Sequence, residues 1–263
     1  SASNGGAIYN NSASPTLTNA LLWGNTATGS GSQIYDDNNS TSSVSYSLVQ
    51  GGFSGTGNLS TDPLFANAAS GDLRLLPGSP AIDAGTNTGA PATDIRGLSR
   101  PVNVVTDMGA YESRGFALTK TGGDGQSATI NTLFTTSPLA VSVASNGASE
   151  PVNGGKITFT APASGPSATL APNPSTINCS GSPTVCSTSV NATANATAGG
   201  PYNVAASAAG VAAANQATFG LTNNKAAATA VTLGNLDQTY TGAEKVATCA
   251  TTRAGLTTGL TYA

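Results

Sequence analysis

The chain has no histidine, three cysteines, one tryptophan and one methionine in 263 residues, and only 8% of its residues are charged. Each shortage excludes something. Without histidine there is no imidazole acid–base group and no Ser–His pair. Nine Lys and Arg stand against twelve Asp and Glu, for a net charge of −3, so the basic face that nucleic acid needs is missing. No stretch approaches 18 consecutive apolar residues, so no segment reads as a membrane span. The cysteine spacing matches no zinc pattern. Low charge also separates the chain from the usual charge-rich disordered profile. Hydrophobic residues make up 38%. Gly, Ser, Thr and Asn dominate much of the remainder, a composition suited to tight turns and long backbone ladders around modest cores.

What the chain does have is a repeat. GGAIYNNSASPTLTNALLWGN (Gly5 to Asn25) returns as GSQIYDDNNSTSSVSYSLVQGG (Gly31 to Gly52). Ile8 and Tyr9 align with Ile34 and Tyr35 at a shift of 26, and Leu17, Leu21 and Leu22 with Val44, Leu48 and Val49 at a shift of 27. The slip falls in Asn/Asp/Ser segments, where a turn absorbs it. A period in the twenties marks a solenoid, whose units bury their apolar sides only by stacking. The runs are short, β-branched and partly alternating, which predicts strands rather than helices. Leu17 and Leu21 share one parity, as do Val44 and Leu48, and should point inward. Leu22 and Val49 have the other parity and sit past a corner or face outward. Asn10-Asn11 should lie over Asp36-Asp37 at a turn, roughly 4.8 Å apart. The repeat reads as two coils of a parallel β-helix.

GGAIYNNSASPTLTNALLWGNTA resembles the coils of bacterial right-handed parallel β-helix surface proteins of the pectin-lyase-like group. Asp62-Pro63-Leu64-Phe65, Asp72-Leu73-Arg74-Leu75, PGSPAIDAG (Pro77 to Gly85), Asp94-Ile95-Arg96-Gly97, Arg100-Pro101 and DMGAYE (Asp107 to Glu112) come after it in that order. Together they resemble the C-terminal end of such a helix in bacterial extracellular proteins of the choice-of-anchor Q type. The resemblance implies an extracellular or cell-surface location and no single activity. Residues 62 to 114 also hold ten of the chain's 21 charges. A solenoid end exposes unpaired backbone and core that must be covered, and carboxylates and guanidinium groups bond backbone groups and each other. Asp83, Asp94, Arg96, Arg100, Asp107 and Glu112 are therefore expected to form a structural cap. The other reading is a calcium site using Asp83, Asp94 or Asp107, since oxygen-rich clusters suit calcium.

After Glu112 the texture changes. Residues 114–126 read as a short passage into new strands, with GGDGQ (Gly122 to Gln126) a turn rather than a phosphate loop. LAVSV (Leu139 to Val143), KITFT (Lys156 to Thr160), YNVAAS (Tyr202 to Ser207) and ATFGLTN (Ala217 to Asn223) alternate between Gly/Pro/Asn turns, predicting an antiparallel β-sandwich. PVNGGKITF (Pro151 to Phe159) and GGPYNVAASAAG (Gly199 to Gly210) resemble stretches of bacterial Ig-like modules of the invasin/intimin kind, which act as spacers or stalks and sometimes bind. Cys179 and Cys186 flank the turn-rich SGSPTV, which fits a hairpin-closing disulfide and an oxidising compartment. Two free thiols are the alternative, and Cys249 has no evident partner. QTYTGAEK (Gln238 to Lys245) resembles the Tyr-x-Gly-x-x-Lys stretch of bacterial MBG-type repeat modules. Residues 225–263 are too few to bury an independent core, so a truncated, mobile β module is expected, entered through Ala226-Ala227-Ala228 as a linker. The chain thus divides into a β-helix end (1–113), an Ig-like β-sandwich (114–224) and a partial third module (225–263), all-β throughout.

Parallel β-helices often host polysaccharide lyases and hydrolases, which need clustered carboxylates and a basic group. Asp36-Asp37 is the nearest approach to a catalytic pair. Adjacent strand residues point to opposite faces, so the two would act together only on a turn, and a solvated turn is the plainer reading. No Lys or Arg precedes Arg74, which leaves the coils without a cationic base. Trp23 and Tyr9 offer sugar-stacking surfaces, or simply packing. No catalytic, metal or cofactor-binding residue is expected. The chain begins inside a repeat with no legible signal peptide, and reads as part of a longer protein. The expected function is a non-enzymatic segment of a large bacterial cell-surface or secreted protein serving adhesion, display or spacing against an extracellular glycan or protein surface. The alternative is the C-terminal part of a β-helix polysaccharide lyase or hydrolase with its active site upstream.

Overall fold

A computed structural model describes residues 2–148, 150–182, 185–227, 231–234, 239, 241–243 and 248–251. Among them the fold is all-β, with two single-turn 3-10 segments at Ala68–Ser70 and Ala213–Asn215.

Each copy of the repeat supplies three short strands. The first gives β1 (Ile8–Asn11), β2 (Thr16–Thr18) and β3 (Leu21–Leu22); the second gives β4 (Ile34–Asp37), β5 (Ser43–Ser45) and β6 (Leu48–Val49). They pair copy to copy, in parallel, as three separate ladders. Ile8 pairs with Ile34 and Tyr9 with Tyr35, then Leu17 with Val44 and Leu21 with Leu48. The step between the two shifts falls where the sequence put it. Ser12, Asn38 and Asn39 take positive φ there, as turn residues do. Direct register sets like on like: Tyr9 stacks on Tyr35 with ring centroids 5.7 Å apart. Val44, Leu48 and Val49 are buried, so Val49 does not face outward. A further parallel contact on β6 comes next that the alignment does not reveal. Leu59 bridges Leu48 in parallel, accepting from Val49 N and donating to Ser47 O at 2.9 Å each. The hairpin of β7 (Phe65–Asn67) and β8 (Asp72–Leu75) lies beyond it.

After the irregular stretch 76–115 lie β9 (Phe116–Gly122), β10 (Gln126–Thr129), β11 (Leu139–Ser145), β12 (Lys156–Thr160), β13 (Ala168–Ala171), β14 (Ser175–Thr176), β15 (Asn178–Ser180), β16 (Val185–Ala194), β17 (Gly199–Ser207) and β18 (Ala217–Asn224). They form two sheets, ordered β10-β18-β17-β12-β14 and β13-β16-β11-β9, with β15 also on β16. Pairing is antiparallel except between β10 and β18. Alternation explains the burial. Leu139, Val141 and Val143 of one sheet, and Ile157, Phe159, Val204, Phe219 and Leu221 of the other, enter one buried cluster. The passage after Glu112 is shorter than expected, because β9 already starts at Phe116. Ala226 and Ala227 lie outside strands. Ala228 and most residues C-terminal to it lie outside the described residues, apart from the antiparallel pair β19 (Val231–Gly234) and β20 (Thr248–Thr251).

The stacked array and the sheets are joined backbone to backbone. Gly78 N donates to Ala209 O (3.1 Å) and Lys156 N to Pro77 O (2.8 Å), while within the sheets Phe116 N donates to Gly210 O (2.7 Å) beside them. Leu75, Ile82 and Met108 belong to the same buried cluster as the sheet residues. Two glycines permit the approach. A Cβ on Gly78 (φ +84°) would sit 2.5 Å from Lys156 O, and one on Gly210 (φ +81°) 3.0 Å from the Phe116 ring and 3.2 Å from Ile82. Both the left-handed backbone and the crowding favour glycine.

Candidate functional site

Residues 76–113 contain no named strand, so their backbone N–H groups need acceptors from elsewhere. Three carboxylates supply them. Asp94 accepts from the N–H groups of Arg96 (2.8 Å), Leu98 (3.0 Å) and Glu112 (3.2 Å). Glu112 accepts from Val102 N (2.9 Å) and Asp107 N (3.0 Å), and Asp107 from Asp83 N (2.7 Å) and Ser113 N (2.6 Å).

The two guanidinium groups tie the carboxylates together. Arg100 Nε donates to Glu112 Oε2 (3.0 Å), while its Nη2 reaches the carbonyls of Asp107 (2.7 Å) and Gly109 (3.0 Å). The Arg100–Glu112 pair is buried, with side chains 4% and 1% exposed. Arg96 bonds Asp94 (2.9 Å), the carbonyl of Glu112 (2.6 Å) and Glu150 Oε1 (3.0 Å), and lies over the Tyr111 ring. Asp83, on the exposed rim, accepts from Asn103 Nδ2 at 3.0 and 3.2 Å. Among the described residues no buried side-chain polar atom lacks a partner.

Electrostatics sorts these acids. Burial opposes the ionised form of Asp94, but the N–H groups of Glu112, Leu98 and Arg96 and the Arg96 guanidinium outweigh it and hold its pKa below the ordinary range. Burial pushes Asp107 up to about 7; the Ser113 and Asp83 N–H groups oppose this, while the charges of Glu112 and Asp83 add to it. Asp83 is raised as well, by partial desolvation first and then by Glu112, against its Asn103 bonds.

All six cap residues expected from the sequence thus meet in one network. Glu150, which completes it on the far side of the joint, was not foreseen. Its only signal is that it is the one charge between Asp124 and Lys156. Asp83, Asp94 and Asp107 turn to separate donors, and among the described residues no three metal-binding side chains converge.

The remaining candidates lie apart. Cys179 and Cys186 face each other across β15 and β16, with their sulfurs 1.95 Å apart. Asp36 and Asp37 sit on β4 and not on a turn. Asp36 bonds Asn10 Nδ2 (2.6 Å) and Ser42 N (2.9 Å), and the Asn10 bond chiefly lowers its pKa. Asp37 instead accepts from the Tyr9 hydroxyl (2.7 Å). Strand alternation separates them, so they do not form an acid pair. Trp23 packs partly buried against the core, whereas Tyr9 is 49% exposed. The side chain of Cys249 lies outside the described residues.

An open groove of about 760 Å³ runs between the β7–β8 hairpin and residues 143–153, bordered by Cys179 and Cys186. Its acids, Asp72 and Glu150, are held by Arg74 and Arg96, so it presents no free acid–base pair. A search among curated proteins and another among solved structures found no match. Residues 228–263, which include the stretch resembling MBG-type repeats, match the MBG domain family.

Proposed function

We propose that the chain is a non-enzymatic segment of a large bacterial cell-surface or secreted protein, serving adhesion, display or spacing. In this reading residues 1–113 are the last coils and cap of a right-handed parallel β-helix, residues 114–224 an Ig-like sandwich, and residues 225–263 the beginning of an MBG-type module. The observation that carries the proposal is the joint. A stacked parallel array passes into packed sheets through the Gly78–Ala209 and Lys156–Pro77 backbone hydrogen bonds and a shared core, with the charged groups between them spent on structure. Rigid modules in series set reach, and repeated laps present repeated surface to a glycan or protein partner. Asp83, Asp94, Arg96, Arg100, Asp107 and Glu112 act as the structural cap, and the Cys179–Cys186 disulfide suits an oxidising location.

Small-angle scattering of the purified chain tests the spacer role. One elongated particle with a salt-independent maximum dimension supports it, and a broad distribution of hinge angles at the joint contradicts it. An assay on acidic polysaccharides, with and without calcium, tests the absence of enzymatic activity. Release of unsaturated sugars would overturn the proposal in favour of a lyase.

A further inference from the structure

Asn-Gly occurs three times, at Asn4-Gly5, Asn146-Gly147 and Asn153-Gly154. In such a pair the glycine has no Cβ to shield its own amide nitrogen. That nitrogen can attack the asparagine side chain, provided that it is not donating a hydrogen bond and that the side chain is free to turn. Folding decides which of the three pairs meets both conditions.

Two of them do not. Gly5 N donates to Ser30 O (3.1 Å), and Asn4 Oδ1 accepts from Ser30 N (2.9 Å). Gly154 N donates to Ile177 O (2.9 Å), and Asn153 Oδ1 accepts from Cys179 N (3.0 Å). In both, the attacking nitrogen and the side-chain amide are held by the backbone alongside. Asn146-Gly147 differs. It lies in the bend after β11, with Asn146 exposed. Gly147 N has no acceptor among the described residues; the residue's backbone bond is at its carbonyl, from Glu150 N (3.1 Å). The Asn146 side chain makes one long contact, Nδ2 to Arg114 O (3.3 Å). Ser145 and Ala148, on either side, line the open groove, so water reaches the pair.

We propose that Asn146-Gly147 is a self-modifying site, which deamidates in the folded protein while Asn4 and Asn153 are held back. Gly147 N gives its proton to hydroxide and bonds to Asn146 Cγ. The Cγ–Nδ2 bond breaks, and Nδ2 leaves as ammonia with a proton from water, closing a succinimide ring. Water then opens the ring at either carbonyl, leaving aspartate or isoaspartate; the sum consumes one water and releases one ammonia. The position gives the change a consequence. Asn146 N donates to Gly115 O (2.9 Å), beside the joint, and the turn from Gly147 carries Glu150 to Arg96. A carboxylate in place of the amide cannot donate to Arg114 O. An isoaspartyl link adds a methylene to the backbone where there is no slack: even a Cβ on Gly147 would lie 2.9 Å from Arg114 Cγ and 3.4 Å from Glu150 Cγ. Gly147 O must then move away from Glu150 N. This chemistry is independent of the surface role.

The test is peptide mapping by mass spectrometry of the whole chain, aged in mildly alkaline buffer either folded or in urea. In urea all three sites should convert at similar rates. In the folded chain Asn146 should convert at least about tenfold faster than Asn4 or Asn153, each of which must first break two hydrogen bonds. Asn4 or Asn153 keeping pace with Asn146 in the folded chain overturns the proposal, and so does an Asn146 that converts in urea but not when folded. Hydrogen exchange on the aged chain tests the consequence. The Glu150 amide should exchange faster than in fresh protein, and unchanged exchange would overturn the effect on the turn.

Discussion

Replacing Glu112 by Gln keeps the side-chain volume and removes one charge, at the point where the cap is most tightly bonded. Oε2 accepts from Arg100 Nε and Asp107 N, and Oε1 from Val102 N. In the better of the two amide orientations the Gln carbonyl keeps Arg100 and Asp107, and its NH2 group then meets the Val102 N–H donor to donor. Val102 is only half-buried, so leaving its N–H unsatisfied costs less than the about 1–3 kcal/mol of a fully buried donor. Arg100, 4% exposed, also loses its only carboxylate partner among the described residues. Breaking one side of a buried pair costs about 3–5 kcal/mol, and the two carbonyls that Arg100 retains offset part of it. The net expectation is a loss of about 3–5 kcal/mol, a large share of the roughly 5–15 kcal/mol typical of a domain. Urea unfolding followed by tryptophan fluorescence suits the measurement. Trp23, the single tryptophan, packs against the core in the first lap, so its signal also shows whether damage in the cap reaches the stack. A loss below about 1 kcal/mol would refute the view that this carboxylate holds the cap together.

Two further perturbations act on the same contacts and on the hairpin disulfide. Gly210→Ala places a methyl group 3.0 Å from Phe116 on a left-handed backbone; scanning calorimetry should show a loss of about 1–3 kcal/mol, and an unchanged melting temperature would mean that the joint is looser than described. Reducing Cys179–Cys186, which closes a loop of sequence separation 7, should lower the urea midpoint by the equivalent of about 2 kcal/mol. No difference between oxidised and reduced chain would remove the disulfide's stabilising role.

Much of the stack was legible because parallel pairing in direct register places equivalent residues on one another, so Ile8 and Ile34 announce their contact by identity. KITFT was legible to the residue because its alternation is carried by Ile157 and Phe159. β16 was not, since its buried face is Thr188, Val190, Ala192 and Ala194, small or polar residues that raise no contrast with their neighbours. The Leu48–Leu59 bridge escaped because its two residues lie only eleven apart, across a Gly-rich segment with no matching side chains. Between Asp83 and Glu112, charge density drew attention to the residues but not to their partners. Which acid receives a guanidinium and which receives only N–H groups depends on the course of an irregular backbone, and local pattern carries no record of that. A turn is expected at Asp36-Asp37 because the register slip falls in that Asn/Asp/Ser segment; the strand instead runs through both residues, and Asn38 and Asn39 take the positive φ.

The most direct test of the stacked register is a through-space measurement on methyl-labelled chain. Nuclear Overhauser contacts should join the Leu21 methyls to those of Leu48, and the Leu48 methyls to those of Leu59. A spectrum with these resonances assigned and neither contact present would contradict the stacking on which the cap, the joint and the proposed role all rest.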